Sequence, residues 1–452
     1  MYRFTSRFTT RFTTATMTDV ETLLSELSRR RVARAAELRA SLGISGPTLS
    51  RLVARAGERV LRMGSGRSTS YARTRAVEGL GRRLSIFRVD ERGEASAAGL
   101  LHLLSEGQHW WESGRGGRLF AGLPPALADM APQGFLGHGF PARFPELGLP
   151  PRLGNWSDDH RLIALARRGE DCVGDLVVGD ESLARALAAP LREVEPADYP
   201  KLAERAATDV AGSSAGGERP KFGAFARGRH LLVKFASGES APSARRWRDL
   251  LWCEWKALEL VATAGVPAST ARWMDVEGWR FLEVERFDRI GARGRRAVIS
   301  LGAIDNEHLG VGGDWITVVS QLVGPPFLLS PEDRRRVRWL DTFGQLIGND
   351  DRHPGNLAFL AAPEGSLRLA PSYDMLPMIL APAAETLVNR RFVPAPPTGA
   401  SVDVWPDAAA WARRFWGEVA AQPVLSDQVR RFAEEAGAAV ETLAGRVAPG
   451  RL

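Results

Sequence analysis

Two short segments in the C-terminal half of the chain carry the side chains best suited to chemistry. They read LIGNDDRHPGNLAFL at 346–360 and SYDMLP at 372–377. Phosphoryl transfer needs a carboxylate that orients the attacking hydroxyl, and further oxygen ligands that hold metal ions against the phosphates. Asp351, Asn356 and Asp374 supply this combination. The two segments therefore predict a phosphotransferase site that uses a divalent metal.

The spacing of these residues indicates a kinase. Asp351 and Asn356 are five positions apart, the interval of the D-x-x-x-x-N pattern in protein-kinase catalytic loops. That interval is frequent by chance, and the orders H-R-D and D-F-G are absent. The string D-R-H-x-x-N is similar to the catalytic loop of phosphatidylinositol-type kinases, and GN-x-D-x-H-x-x-N followed by YD resembles the HipA family of serine/threonine kinase toxins. The second resemblance covers roughly residues 95–450.

The HipA resemblance implies a role for each polar residue of the site. Asp351 would be the catalytic base. Asn356 and Asp374 would bind Mg²⁺, and Lys234 would bind the phosphates of ATP. His353 would contact phosphate or Asp351, although a structural histidine is an equally good interpretation. Because no second histidine or cysteine is near this loop in the sequence, a zinc site is rejected.

The segment SSAGGERPKF at 213–222 fits the Ser-Gly phosphate loop that the HipA resemblance implies. Glycines let backbone N–H groups approach phosphate oxygens. A Gly/Ser linker would have a similar composition, but this segment ends near Lys221, one of only four lysines among 60 basic residues. The expected nucleotide contacts are Ala215, Gly216, Gly217 and Lys221.

The same resemblance implies a control mechanism in this loop. In the HipA family the serine of the phosphate loop can itself be phosphorylated, which ejects the loop and switches the enzyme off. Ser213 fits the S-x-x-G position better than Ser214, but the adjacent pair leaves both open. We expect autophosphorylation on one of these two serines.

A second lysine lies within an apolar strand. The sequence HLLVKF places Lys234 there, where an unpaired ammonium would be costly. Kinases pair such a lysine with a glutamate from a helix and with the nucleotide phosphates. Glu254 in LWCEWKALELV is the predicted partner.

A candidate adenine-binding hinge lies between Lys234 and the predicted catalytic loop. The segment WRFLEVERFDR at 279–289 resembles the hinge of the HipA family, in which backbone groups at Glu285 and Phe287 would hold adenine. Its charged residues would also suit a surface ion-pair cluster. The position between the lysine and the catalytic loop favours the hinge.

Basic residues are concentrated at the N-terminus. Residues 1–83 contain 17 arginines, no lysine and six acidic residues, whereas the whole chain has a net charge of +7. The rest of the chain is therefore net negative. Such a basic segment is expected where phosphate backbones are bound, although a solvated arginine-rich face would have the same charge.

The pattern of residues 19–83 favours DNA binding. Short amphipathic helices are interrupted at Gly43, Ser45 can cap the next helix, and an alternating hairpin with the turn GSGRS follows. This resembles a winged helix-turn-helix, whose second helix would meet base edges and phosphates. A three-helix interaction module is the alternative. The expected DNA contacts are Thr48, Ser50, Arg51, Arg55, Arg62 and Arg67.

The predicted fold class is α+β. A winged helix-turn-helix precedes a two-lobed protein-kinase-like fold, of the HipA and phosphatidylinositol-kinase kind, with an all-helical C-lobe. The predicted divisions are an unstructured tail at 1–18, the winged helix-turn-helix at 19–83, a HipA N-terminal subdomain at 84–182, the kinase N-lobe with the phosphate loop at 183–290 and the helical C-lobe at 291–452.

The composition restricts where such a protein would act. No long charge-free stretch suggests a membrane span, and the two cysteines, Cys172 and Cys253, cannot form a disulfide framework. We expect a cytoplasmic kinase toxin that uses ATP and Mg²⁺, binds duplex DNA and phosphorylates a protein. Aminoacyl-tRNA synthetases are a first test because members of the HipA family modify them. The alternatives are a lipid or small-molecule kinase and a DNA-binding regulator that uses the kinase fold as a nucleotide sensor.

Overall fold

The computed structural model describes residues 19–114, 116–188, 190–210, 219–325, 327–362, 365–383 and 386–447. The helices among them are α1 (Val20–Arg30), α2 (Ala35–Leu42), α3 (Gly46–Ala56), α4 (Pro125–Met130), α5 (Gly134–Arg143), α6 (Asp158–Arg168), α7 (Asp180–Ala188), α8 (Tyr199–Val210), α9 (Pro242–Thr263), α10 (Leu301–Ile304), α11 (Trp315–Val319), α12 (Pro331–Leu346), α13 (Trp405–Ala421) and α14 (Asp427–Val447). None of these described helices is long and apolar enough to cross a membrane.

The strands are short and fall into several sheets. In chain order they are β1 (Val32–Arg34), β2 (Val60–Met63), β3 (Ser70–Arg73), β4 (Arg83–Val89), β5 (Ala95–Leu103), β6 (His109–Ser113), β7 (Gly116–Phe120), β8 (Leu176–Val178), β9 (Lys221–Ala226), β10 (Arg229–Ala236), β11 (Ala271–Val276), β12 (Trp279–Glu285), β13 (Arg289–Ile290), β14 (Gly294–Arg295), β15 (Val298–Ser300), β16 (Val323–Gly324), β17 (Phe327–Leu329), β18 (Ala358–Ala361) and β19 (Ser366–Leu369). The predicted tail at 1–18 lies outside the described residues.

The chain divides into two compact units. The first contains the described residues up to Leu84 and the segment Leu100–Gly122. The second contains Ser85–Gly99 and the described residues from Leu123 onward. The predicted DNA contacts belong to the first unit, and the described residues of the predicted nucleotide site belong to the second.

The first unit is built on three helices around a small apolar core. Leu23 and Leu27 of α1 form a buried cluster with Leu38 of α2 and Leu49 of α3. The strands β1, β3 and β2 form an antiparallel sheet in that order. Because β2 and β3 are joined by a short turn, they form a hairpin directly after α3.

The connection between α2 and α3 follows from its residue types. Gly43 has a φ of 63° and ends α2, a left-handed conformation that glycine adopts without strain. The Oγ atom of Ser45 accepts a hydrogen bond from the N–H of Thr48 at 3.3 Å and caps α3. The turn thereby sets the direction in which α3 leaves α2.

In the second unit an antiparallel sheet, in the order β11, β12, β10, β9, carries the predicted ATP lysine. Side chains alternate across a strand. Val233 and Phe235 of β10 therefore join an apolar cluster on the α8 side of the sheet. Ala236 packs on the other face with Leu251 of α9. Lys234, two residues before Ala236, faces the same side and so points toward α9.

The C-terminal part of the second unit packs α12, α13 and α14 around a large apolar core. The Nε1 atom of the buried Trp416 in α13 donates to the backbone oxygen of Leu346 at 3.0 Å. The rings of Phe343 in α12 and Phe415 in α13 meet edge to face at 6.4 Å. This core fixes the end of α12, which is where the predicted catalytic loop begins.

The predicted all-helical C-lobe is wrong. Residues 291–447 also contain a sheet in the order β15, β18, β19, β17, β16. Its strands have two to four residues each, too few to show an alternating pattern, and AFLA and SLRL carry the helix-favouring residues Ala and Leu. Strands β18 and β19 lead from the catalytic loop to the SYDMLP segment and hold the two side by side.

Candidate active site

Lys234 is the centre of a buried group of charges. Its side chain is 2% exposed, and its Nζ atom donates to Oε1 of Glu254 at 2.5 Å and to Oδ1 of Asp374. Glu254 is fully buried within α9, and Asp374 lies after β19. One ammonium group therefore joins the sheet, the helix and the SYDMLP segment.

The three charges determine one another's protonation. Burial by itself would lower the pKa of Lys234, but Asp374 and Glu254 outweigh that effect and raise it. Burial also opposes ionisation of Asp374, yet Lys234 and Lys221 hold the pKa of its carboxyl at about 2. Burial raises the pKa of Glu254 in spite of Lys234. Asp374 is the carboxylate that stays ionised, as a metal ligand must.

Asp374 has an unusual backbone, and Asn349 holds it. The φ of Asp374 is 52°, in the left-handed region that residues with a Cβ rarely occupy. Asn349 is 2% exposed; its Nδ2 donates to the backbone oxygen of Asp374 at 3.3 Å, and its Oδ1 accepts from the N–H of Asp351 at 3.1 Å. Sequence reasoning assigned Asn349 no role, although it is part of the GN-x-D string.

Asp351 and Asn356 flank a tight loop. Nδ2 of Asn356 donates to the backbone oxygen of Asp351 at 2.9 Å, so the amide oxygen is the atom that remains to bind a metal. The side chain of Asp351 is exposed. Partial burial nonetheless raises the pKa of Asp351, with Asp374 and Asp350 adding to the rise and His353 opposing it. A carboxylate with raised proton affinity suits a general base.

His353 shapes this loop. Its Nδ1 accepts a hydrogen bond from the N–H of Gly355 at 3.1 Å, and its backbone oxygen accepts one from Nε1 of Trp315 at 2.8 Å. The hydroxyl of Tyr373 donates to the backbone oxygen of Gly355 at 3.0 Å. These contacts fit a structural histidine, and the Nε2 atom takes part in none of them.

An ion pair between Arg352 and the buried Asp341, which was not predicted from the sequence, supports the loop that carries Asp351. Nε of Arg352 donates to Oδ1 of Asp341 at 3.0 Å, and Nη1 of Arg352 donates to the backbone oxygen of Asn349. Asp341 is 1% exposed. Gly344 makes room for the arginine, because a Cβ at that position would lie 2.6 Å from Cδ of Arg352. The sequence feature that could have predicted this pair is Asp341, an acid among the buried residues of α12. A buried acid needs a partner.

The predicted hinge residues lie at the end of β12. The N–H of Glu285 donates to the backbone oxygen of Thr270 at 2.8 Å, so it is engaged within the protein. The carboxylate of Glu285 pairs with Arg229 at 2.8 Å. The ring of Phe287 lies 5.8 Å from that of Tyr373, which places it beside the catalytic loop.

The charged residues that follow Glu285 form a mostly buried ion-pair group. Asp288 accepts from Arg289 at 2.6 Å and from Arg286 at 3.0 Å. Arg286 also reaches Asp171 at 2.7 Å. Asp288 and Arg289 are each 4% exposed in their side chains. The ion-pair cluster considered as an alternative for this segment is therefore present, with Asp288 and Arg289 buried and the side chain of Asp171 exposed.

Two further cations, Lys221 and Arg219, interact electrostatically with the carboxylates bonded to Lys234. Lys221 is the partner of Lys234 across β9 and β10, and its charge lowers the pKa of Asp374. Arg219 stacks on Trp247 with its Cζ atom 3.0 Å from the ring centroid. Its Nε and Nη1 atoms are buried and have no hydrogen-bond partner among the described residues. Burial lowers the pKa of Arg219 to about 9, against the attraction of Glu254 and Asp374.

Ser213, Ser214, Ala215, Gly216 and Gly217 lie outside the described residues.

The predicted DNA contacts lie on α3 and on the hairpin of β2 and β3 in the first unit. Ser50, Arg51 and Arg55 are exposed on α3, and Thr48 is half-buried in its first turn, where its Oγ1 lies 2.9 Å from Oγ of Ser45. Arg62 is exposed on β2, and Arg67 lies in the turn of the hairpin. Nη2 of Arg51 donates to Oγ1 of Thr48 at 3.4 Å, whereas Ser50, Arg55 and Arg62 are exposed.

The donor set fits a magnesium ion. Asp374 provides an ionised carboxylate, and Asn356 provides an amide oxygen whose nitrogen is already engaged. Hard oxygen ligands of this kind suit Mg²⁺, which is bound in phosphotransferases by one or two carboxylates together with substrate phosphates.

Comparison with known proteins decides the family. Residues 80–187 match the YjjJ-like toxin, middle domain, and residues 213–442 match the HipA-like C-terminal domain. Over 440 residues the chain is 33% identical to Toxin YjjJ of Escherichia coli (strain K12). This alignment covers 94% of this chain and 98% of that protein. The chain belongs to the YjjJ-like toxins of the HipA family.

A solved HipA structure shares the fold of this YjjJ-like toxin. It comes from the complex of the Shewanella oneidensis MR-1 toxin-antitoxin system HipA, HipB and its operator DNA. The TM-score is 0.57 at 16% identity, with 81% of this chain and 99% of that chain covered. The charge cluster and the catalytic loop of this YjjJ-like toxin both lie within the match to the HipA-like C-terminal domain.

We expect Arg352→Ala to lower the free energy of unfolding of the second unit by about 3 kcal/mol, because it leaves the buried carboxylate of Asp341 without its cation. Chemical denaturation followed by tryptophan fluorescence measures this loss. The matched control is Arg296→Ala, which removes an arginine from the exposed pair with Glu91 at 3.2 Å and should cost less than about 1 kcal/mol. Equal losses of unfolding free energy in the two variants would show that Arg352 does not stabilise the loop.

Proposed function

We propose that this YjjJ-like toxin is a protein serine/threonine kinase of the HipA type that uses ATP and Mg²⁺. The supporting observation is that Lys234, Glu254 and Asp374 meet in one charge cluster, in which Lys234 and Glu254 are buried and Asp374 is partly exposed. Asn349 links that cluster to the loop that carries Asp351. A lysine, a helix glutamate, a base and a metal-binding acid are the parts that protein kinases use for phosphoryl transfer.

Each residue has a distinct task in the proposed reaction. Asp351 orients the hydroxyl of the substrate serine or threonine and accepts its proton, for which a raised pKa is favourable. Lys234 stays charged because of its two carboxylates, and its ammonium binds phosphate oxygens of ATP. Asp374 and the amide oxygen of Asn356 hold Mg²⁺. Bound Mg²⁺ supplies charge neutralisation between the phosphates.

Arg219 extends the phosphate-binding surface in this proposal. Its guanidinium carries two buried donors without partners, and unpaired buried donors are costly. The fork of a guanidinium matches phosphate oxygens. Stacking on Trp247 fixes its plane, so that Arg219 adds an oriented cation beside Lys221 and Lys234.

A protein substrate is favoured over a lipid by the family to which the chain belongs. Aminoacyl-tRNA synthetases are the first candidates because the HipA resemblance suggests them. The two-cysteine composition supports action in the reducing cytoplasm. Incubation with Mg²⁺ and labelled ATP, followed by mass spectrometry of the protein and of a cell lysate, tests both the activity and its target.

The first unit is proposed to bind duplex DNA as a winged helix-turn-helix. Support comes from the order of its elements, with the capped helix α3 after a tight turn and the β2–β3 hairpin after α3. The exposed side chains of Arg51, Arg55 and Arg62 can pair with phosphates, and the half-buried Thr48 begins the helix that would enter the major groove. The related HipA of Shewanella oneidensis was solved with operator DNA.

The phosphate loop is proposed to be autophosphorylated on Ser213 or Ser214. A phosphate there would bring up to two negative charges beside the bound nucleotide, and repulsion would drive the loop outward. The modified protein would then bind ATP poorly.

Asp351→Asn should abolish phosphoryl transfer and any growth arrest on expression while leaving ATP binding intact, because the amide cannot accept the proton. A loss of about a hundredfold or more in rate is expected for a general base. The matched control is Asp350→Asn, which changes the neighbouring exposed carboxylate and should retain transfer. Labelled-ATP transfer and nucleotide titration measure the two properties. Undiminished transfer by the Asp351 variant would remove this residue from the mechanism.

The full chain should bind duplex DNA with an affinity that falls steeply with salt. Arg51→Ala combined with Arg55→Ala should reduce the slope of log affinity against log salt by about 0.9 per lost phosphate contact. Arg29→Ala is the control, because Arg29 on α1 is paired with Glu26 at 2.8 Å. Fluorescence anisotropy with a labelled duplex gives the slope. An unchanged slope in the double variant would indicate an interaction module of another kind.

Ser213→Ala should stay active longer than the wild type during incubation with ATP, since no phosphate can accumulate on the loop. Ser214→Ala serves as the neighbouring control and should lose activity like the wild type. Mass spectrometry of the loop peptide and a time course of transfer report on the two variants. Phosphate found on Ser214 alone would shift the register by one residue, and modification of neither serine would exclude this control mechanism.

A further inference from the structure

A second basic site lies in the second unit and shares no residue with the candidate active site. It is a cavity of about 560 Å³ between α14, the end of the SYDMLP region and the segment 388–392. Four arginines line it, against a single acidic residue, Glu435. The arginines are Arg246, Arg390, Arg391 and Arg431. Such an excess of cations around a concave surface favours an anion.

The burial and the hydrogen bonds of Arg246 show that the cavity has a defined wall and is not only a cluster of surface charges. It is 4% exposed, and it donates from Nη1 to the backbone oxygen of Leu380 at 2.9 Å and from Nη2 to Oε1 of Gln428 at 2.7 Å. Its Nε is buried and has no hydrogen-bond partner among the described residues. The nearby carboxylate of Asp249 accepts from the hydroxyl of Ser426 at 2.6 Å. Arg246 therefore has no carboxylate directly bonded to it in the described structure.

Hydrogen bonds from Arg390 and to Gly348 hold the part of the cavity wall around Ile379. Nη1 of Arg390 donates to the backbone oxygens of Ile379 at 3.0 Å and of Ala381 at 2.7 Å. The N–H of Ile379 donates to the backbone oxygen of Gly348 at 2.9 Å, at the start of the catalytic loop. Because these backbone groups are already satisfied, the cavity can receive a ligand without refolding of the wall.

The lining also indicates the kind of anion. Guanidinium groups pair bidentately with phosphate, and Arg391 and Arg431 have exposed side chains free to turn toward a ligand. Phe392 and Phe432 add aromatic surface to the same cavity. The volume lies within the range of about 300–1,000 Å³ that small-molecule sites occupy. We propose that this cavity binds a nucleotide-sized organic phosphate, with the phosphate on Arg246, Arg391 and Arg431 and the base against the two phenylalanines.

The test measures binding and not phosphoryl transfer, and the comparison of a cavity variant with a control variant separates this cavity from the nucleotide site proposed at Lys234. A fluorescent derivative of GMP is titrated into the full-length protein in the presence of inorganic pyrophosphate at increasing concentration. Arg391→Glu combined with Arg431→Glu reverses two exposed charges of the lining. The matched control is Arg335→Glu combined with Arg368→Glu, two exposed arginines of the same unit outside the cavity.

We expect the wild type and the control to bind the probe and to release it to pyrophosphate. The affinity of the cavity variant should fall by about tenfold or more, because charge-assisted bonds to the phosphate are lost. Far-ultraviolet circular dichroism checks that all three proteins are folded. Binding of the probe that is equal in the wild type and the cavity variant, or absent from the wild type at millimolar concentration, would overturn the proposal.

Discussion

Moving an ammonium group into a protein interior costs several kcal/mol unless carboxylates accompany it, and the buried ammonium of Lys234 is bonded to two. Glu254 comes from α9 and Asp374 from the segment after β19, so the charge requirement of one strand residue dictates how a helix and a distant loop meet the sheet. The left-handed backbone of Asp374 carries a cost of about 1–3 kcal/mol. The ion pair and the hydrogen bond from Asn349 offset that cost, so the position of Asp374 depends on the buried lysine.

The loop around Asp351 is held mainly through its backbone. Asn349, Arg352, Tyr373 and Trp315 each donate to a main-chain oxygen of the two catalytic segments. Main-chain contacts fix the path of a loop without using the side chains proposed to react. The carboxylate of Asp351 and the amide oxygen of Asn356 can therefore be oriented by the fold and still remain available for the proposed substrate and metal.

Residue type alone predicted those contacts that a particular group must make in order to be buried or to end or begin a helix. A lysine in an apolar strand needs a buried acid, and Glu254 is found against it; a glycine and a serine in sequence predicted the turn before α3. Contacts for which several residues could serve equally well as the partner were not accessible in this way. Arg352 meets Asp341 across the end of α12, and any of several arginines could have satisfied that acid. The short strands of the C-lobe were missed because local propensity does not determine a strand of two to four residues, whose pairing partners do.

Buried cations in the second unit differ in how completely they are neutralised. Lys234 has two carboxylates bonded to it, whereas the guanidinium donors of Arg219 and Arg246 are only partly matched among the described residues. An unmatched buried donor lowers stability, and an anion that binds to it returns that free energy on binding. The fully compensated lysine therefore suits a position that must stay charged and fixed through a reaction. The partly compensated arginines suit positions where a phosphate arrives and leaves, because the folded chain gains more from its arrival there.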